Sequence, residues 1–315
     1  MYKIGVDLGG TNISVGVVNE KYEIVGKASV PTNAGRPAAD IFDDISATVK
    51  AAVADAGISM DQVESVGVGT PGSVDKSNGY ITFANNLDFH DVPAKDMLEE
   101  RIGKPVYLDN DANCAALGEQ IAGVGNGVND FIAVTLGTGV GSGIIIDGKI
   151  LNGINGAAAE MGHMVICVDG IQCSCGRKGC WEKYASATAL ISQTKDAMQN
   201  NPDSLMWKLV DGDINKVSGR TSFDAMRQGD DVAKAVVDKY IYYVSVGISN
   251  IINTFQPEIV CVGGGISNEN ETLLQPIRDN VKKEVYTKDS DISTKILKAQ
   301  LGNNAGVIGS ALLKY

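Results

Sequence analysis

Apolar and polar positions mark out the elements of this chain. From Lys3 to Asn19, KIGVDLGGTNISVGVVN, β-branched residues flank a glycine-rich centre, which predicts strand, tight turn and strand. Phe131 to Asp147, FIAVTLGTGVGSGIIID, repeats that shape without a gap at an offset of 128, matching Ile4 with Ile132, Val6 with Val134, Leu8 with Leu136, Gly9 with Gly137 and Ser14 with Ser142. A duplicated domain is the simplest reading. Between the copies, Ile41, Ile45, Val49 and Val53 recur every four residues, predicting an amphipathic helix over 38–57 that Gly57 ends. Val63 to Gly69 reads as a strand entering the turn Thr70-Pro71-Gly72. Val106-Tyr107-Leu108 is the next strand. It delivers Asp109, Asn110 and Asp111 to its C-terminal end before a helix over 112–121, and ligands of open α/β sheets bind at strand ends of this kind.

In the second half, 185–231 reads as polar and helical, broken at Asn200-Asn201-Pro202 and Asp211-Gly212-Asp213. Val232 to Phe255 is a long helix with one broad apolar face, stopped before Pro257. Ile259 to Val262 is a buried-type strand that ends in Gly263-Gly264-Gly265, where a flat ring could lie against bare backbone. A last helix over 305–313 is expected to pack back on the first domain.

The 315 residues suffice for two domains with their own cores. With 27 basic and 38 acidic side chains the net charge is −11, which repels phosphate backbones and anionic lipid and argues against nucleic acid as a partner. No apolar run approaches the roughly 20 residues that cross a bilayer, and the first residues lack the pattern of a signal peptide. A cytoplasmic location is therefore expected, where cysteines stay reduced.

That setting bears on the densest chemistry in the chain. His163, Cys173, Cys175 and Cys180 follow the spacing His-x9-Cys-x-Cys-x4-Cys, and three thiolates with one imidazole make a closed tetrahedral zinc shell. A disulfide is the competing reading, but Cys173 and Cys175 are poorly placed to bond each other and three clustered cysteines leave one over. Gly176 and Gly179 let the chain turn between ligands, and a metal knot would hold the flanking Glu160 and Glu182 at fixed distance.

The glycine turns point to phosphoryl transfer. Backbone N–H groups around Gly9-Gly10-Thr11 and Gly137-Thr138-Gly139 are suited to phosphate oxygens, although neither turn is a Walker A motif. Asp7, in the first turn, can hold Mg²⁺. Asp111 can take the proton of an attacking hydroxyl, and Asp109, two residues away, competes for that role; either could instead cap the helix that follows. Asn86, Asn110, Glu160, His163 and Glu182 supply the donors and acceptors that a polyhydroxylated ligand needs.

Together, Asp7-Leu8-Gly9-Gly10-Thr11, the run Leu136 to Gly143, Asn110-Asp111-Ala112-Asn113, Glu160-Met161-Gly162-His163 and the cysteine motif through Glu182 resemble the ROK family of sugar kinases and repressors. The resemblance implies an α/β chain of two duplicated actin-like ATPase (ribonuclease H-like) domains, with the active site in the cleft between them. The expected domains are 1–112 completed by 303–315, and 113–302. It further implies ATP with Mg²⁺ as donor, a hexose as acceptor, and Asp111 as the base rather than Asp109. Asn86, Asn110, Asp111, Glu160, His163 and Glu182 would face the sugar, with His163, Cys173, Cys175 and Cys180 on Zn²⁺ and Gly263, Gly264 and Gly265 near adenosine. Family members are commonly dimers or tetramers. The repressors carry a DNA-binding segment ahead of the kinase-like body, whereas this chain reaches its first strand at Lys3, so a kinase is expected. Phosphorylation of the 6-hydroxyl of glucose is the leading expectation, and an N-acetylmannosamine or N-acetylglucosamine kinase the alternative, followed by fructokinase and allose kinase.

Overall fold

The computed structural model describes residues 1–314. The chain divides into two compact units, the first made of 1–133, 143–159 and the chain from Gln300 on, the second of 134–142 and 160–299.

In the first unit, β1 (Tyr2–Leu8), β2 (Asn12–Val18) and β3 (Ile24–Pro31) lead through α1 (Ala38–Asp55) to β4 (Val63–Thr70). There follow β5 (Ser73–Asp75), β6 (Tyr80–Ala84), β7 (Phe89–Val92), α2 (Ala94–Ile102), β8 (Val106–Asn110) and α3 (Asp111–Ala122). The main sheet has the order β3-β2-β1-β4-β8, and β5-β6-β7 form a small sheet of their own. The four-residue period of α1 is explained by its packing: Ile41, Ile45 and Val49 are fully buried and join Ile4, Val6 and Leu8 in one core. Because β1, β4 and β8 are parallel, Asp7, Gly69 and Asp109 lie in register at one end of the sheet.

The second sheet is built from β9 (Phe131–Leu136), β10 (Val140–Ile146), β11 (Lys149–Ile150), β12 (Ile259–Gly263) and β13 (Lys295–Lys298), in the order β11-β10-β9-β12-β13. Strand for strand this is the first sheet's order, with an antiparallel pair at one edge and a parallel pair at the other. The duplication read at offset 128 is thus a duplication of topology. The line between the units runs through β9 and β10. The second unit's helices are α4 (Glu182–Ala185), α5 (Ala187–Asn200), α6 (Met206–Leu209), α7 (Thr221–Arg227), α8 (Asp231–Phe255) and α9 (Glu271–Glu284).

The last helix, α10 (Ala305–Ala311), lies in the first unit, where glycines let backbones touch. A Cβ on Gly5 or Gly67 would sit 1.7 Å from the carbonyl oxygen of Val307 or Ser310, and one on Gly309 1.7 Å from that of Cys114 in α3. α10 thus interlocks with α3 inside the first unit. The helix also ends earlier than 313, because the N–H groups of Leu312 and Leu313 bond three residues back, to Gly309 and Ser310, at 3.0 and 3.1 Å. Among the described residues no helix is long and apolar enough to cross a membrane.

Candidate active site and metal-binding knot

In the first unit, Asp7 is the penultimate residue of β1, and the turn Gly9-Gly10-Thr11 follows Leu8. Gly9 N–H donates to Asn12 O at 2.9 Å, Thr32 N–H donates to Thr11 O at 2.8 Å, and the Thr32 hydroxyl donates to Gly9 O at 2.6 Å. The turn is therefore stiff, and it consumes the N–H of Gly9 itself. Asn86, in a single 3₁₀ turn over Asn85–Leu87, lies beside Gly10, where an added Cβ would be 3.4 Å from its own.

At the end of β8 the three polar residues separate by their partners. Asp109 is buried, ion-pairs with Lys76, and accepts from Asn113 Nδ2 at 3.0 Å and from Asn110 N–H at 2.7 Å. Asn110 is the N-cap of α3: its Oδ1 accepts from the N–H of Ala112 and Asn113, at 2.9 and 3.3 Å, and its Nδ2 donates to Gly72 O at 3.0 Å. The capping role that the sequence left between Asp109 and Asp111 thus belongs to the residue between them, and Asn110, expected on a sugar, spends most of its amide on the fold. Asp111 opens α3, and its Oδ1 accepts from Ala112 N–H at 2.8 Å. Burial raises its pKa, partly offset by the bonds its carboxylate accepts from the backbone and from Asn110. Asp7 is its neighbour, and burial, then the charge of Asp111, push Asp7 up to about 6.

That shift makes a stability prediction. A carboxyl held at about 6 when folded and 3.8 when unfolded opposes folding once the pH exceeds both values, by about 3 kcal/mol, while nothing is lost where both states are protonated. Asp7→Asn is therefore expected to be more stable than wild type by about 3 kcal/mol at pH 8, and by about half that at pH 5. Urea unfolding without Mg²⁺ at the two pH values checks this, and equal stability at pH 8 refutes it.

The second unit holds the knot. His163 Nδ1 lies 3.7 Å from Cys173 Sγ, Cys175 Sγ lies 3.6 Å from Cys180 Sγ, and all four ligand atoms are within 4.8 Å of one another. Zn–S bonds of about 2.3 Å at tetrahedral angles put neighbouring sulfurs about 3.8 Å apart, whereas a disulfide needs about 2.05 Å. The residues fit a zinc ion, and no disulfide forms among the described residues. The turn between ligands needs its glycines: Gly176 has φ +90° and Gly179 φ +78°, and a Cβ on Gly179 would be 1.7 Å from Cys167 O. Trp181, fully buried, anchors the knot to α8: its Nε1 donates to Tyr243 O at 2.8 Å and its ring fills the place of a Cβ on Gly247.

The knot is continuous with the second glycine turn. Gly137 N–H closes on Gly139 O at 3.0 Å, Gly162 packs on Val140 O, and Met161 N–H donates to Ser142 Oγ at 3.2 Å. Glu182, expected to face sugar, accepts from Val140 N–H through Oε2 at 3.0 Å. Gly264, φ +83°, lies on the backbone of Leu136, so the third glycine run meets the root of the second. A cavity of about 890 Å³ in this unit opens instead beside Glu258 and Lys295, at the N-terminal ends of β12 and β13. It holds none of the expected site residues.

The ROK family profile matches residues 3–315. The chain belongs to the ROK family. Within that family it is similar to the glucokinase of Thermotoga maritima, 39% identical over 310 residues that cover 98% of this chain and 95% of that protein. The glucokinase of Streptomyces coelicolor is 38% identical over 98% of this chain and 96% of its own length. A crystal structure of a ROK family glucokinase from Streptomyces griseus in complex with glucose and AMPPNP superposes with a TM-score of 0.83 at 40% identity, covering 99% of this chain and 98% of that one. This ROK chain therefore has the actin-like α/β fold of its family. Two features escaped the sequence reading: Lys76, whose lysine gave no signal 33 positions from its carboxylate, and the contacts of Ala187 and Thr188 with the second glycine turn.

Proposed function

We propose that this chain transfers the γ-phosphoryl group of ATP to the 6-hydroxyl of glucose. Its likeness to glucokinases along nearly the whole of both chains carries the choice of substrate. In the transfer, the glucose 6-oxygen attacks phosphorus, its proton passes to Asp111, and the bond from phosphorus to the bridging oxygen breaks to release ADP. Asp111 suits the base because its neighbour is spent: Asp109 is neutralised by Lys76 and held by Asn113. Asn86, Asn110, Glu160, His163 and Glu182 are proposed with Asp111 as the sugar ligands, Asn110 and Glu182 using only the atoms that helix capping and Val140 leave available. Gly10, Thr11, Thr138 and Gly139 would donate N–H groups to phosphate oxygens, while Gly9 and Gly137 shape their turns and Gly263 to Gly265 lie near adenosine.

Asp7 would hold Mg²⁺, which would offset phosphate charge and draw the Asp7 proton off. His163 Nδ1 and the thiolates of Cys173, Cys175 and Cys180 would hold a structural Zn²⁺. Such thiolates need a reducing compartment, so the proposal includes a cytoplasmic location and a homo-oligomer of the family's kind. Coupled ADP release over a panel of hexoses tests the reading. Glucose is expected to be the best acceptor; N-acetylmannosamine turned over far better than glucose would reverse the assignment.

A further inference from the structure

We propose that Thr188 is a positioning residue for the nucleotide, acting through the second glycine turn. The inference rests on the reading that residues 137–139 hold phosphate oxygens. A glycine turn offers phosphate its N–H groups only while its peptide planes are oriented, and with three small or β-branched residues it has little packing of its own to fix them. Here the start of α5 does the fixing. The Thr188 hydroxyl donates to Thr138 O at 2.8 Å, and Ala187 N–H donates to Gly137 O at 2.8 Å. Glu182 Oε2 also accepts from Val140 N–H, just after the turn, at 3.0 Å. The two bonds from α5 bind carbonyls of consecutive peptides, so the N–H groups of Thr138 and Gly139, which share those peptide planes, are turned the opposite way.

The anchor for this clamp is rigid. Ser186 caps α5 by accepting from Ala189 N–H at 3.0 Å and is buried. Tyr240 of α8 donates its hydroxyl to Ala185 O at 2.8 Å, and Trp181 pins the preceding turn to Tyr243. Thr188 itself is exposed on the helix, so removing its hydroxyl disturbs the turn and not the core. Of the bonds α5 makes to the turn, it is the one a side-chain change can delete, since the other is backbone to backbone.

Thr188→Val removes the donor at constant shape, and Thr188→Ser returns it. For Thr188→Val, KM for ATP and the Kd of AMPPNP are expected to rise about fivefold, the weight of one neutral hydrogen bond. KM for glucose and the melting temperature should stay at wild-type values, and Thr188→Ser should restore nucleotide affinity. Hydrogen exchange of the peptide covering 134–142, in protein without nucleotide, reads the clamp directly and should be faster in Thr188→Val. Wild-type exchange together with wild-type KM for ATP in that variant would overturn the inference. Wild-type protein that turns over no ATP would overturn the kinase reading as well, at a step separate from the variant comparison.

Discussion

Asp111→Asn is expected to lower kcat by about 10²–10⁴, the usual worth of a positioned general base. The amide keeps the shape of the carboxylate but cannot take a proton. Nothing else in the neighbourhood should move, because the cap of α3 is Asn110 and survives the change. KM for glucose should accordingly change by less than about threefold, as for a group needed only in the transfer step. Asp109→Asn makes the contrast: it leaves the half-buried Lys76 without its partner, and breaking such a pair costs about 3–5 kcal/mol of stability. The pH profile gives a second reading of the same group. The base works ionised, and burial raises the pKa of Asp111, so wild-type activity should fall with decreasing pH at values above the ordinary carboxylate range. Asp111→Asn should lose that limb. A variant that retains more than about a tenth of wild-type kcat would assign the proton elsewhere.

Cys175→Ser is expected to empty the metal site and raise KM for glucose by at least about tenfold. The variant removes one of four ligands that converge within 4.8 Å, and a three-ligand remnant binds a structural ion far more weakly. The affected segment carries His163 as a ligand, Glu160 just before it and Glu182 just after Cys180, so three proposed sugar ligands lose their support together. The fold of the second unit should persist, since Trp181 and α8 hold the core through buried apolar contact that no metal supplies. Elemental analysis, sugar titration and thermal unfolding of the same preparations separate these effects. Zinc-free wild-type protein, or a metal-free variant with unchanged glucose affinity, would show the knot to be incidental.

Some of this was fixed by the chain's own order. The four-residue period of Ile41, Ile45 and Val49 gives α1, because an apolar stripe of that spacing can be buried only as a helix. The spacing of His163, Cys173, Cys175 and Cys180 with two glycines gives the knot, because all its ligands lie within eighteen positions and need only local turns to meet. The repeat at offset 128 gives two sheets of one order. What needed the tertiary structure is what depends on contacts between distant segments. Asp109 and Asp111 are equivalent by spacing alone, and the structure separates them by partners: Lys76 and Asn113 engage Asp109. Val140 is 42 positions from Glu182 and Thr138 is 50 from Thr188, so no local pattern could show that the knot and α5 hold the second glycine turn. Gly5, Gly67 and Gly309 likewise read as ordinary glycines until α10 returns across β1 and β4, where carbonyl oxygens already occupy the space a side chain would take.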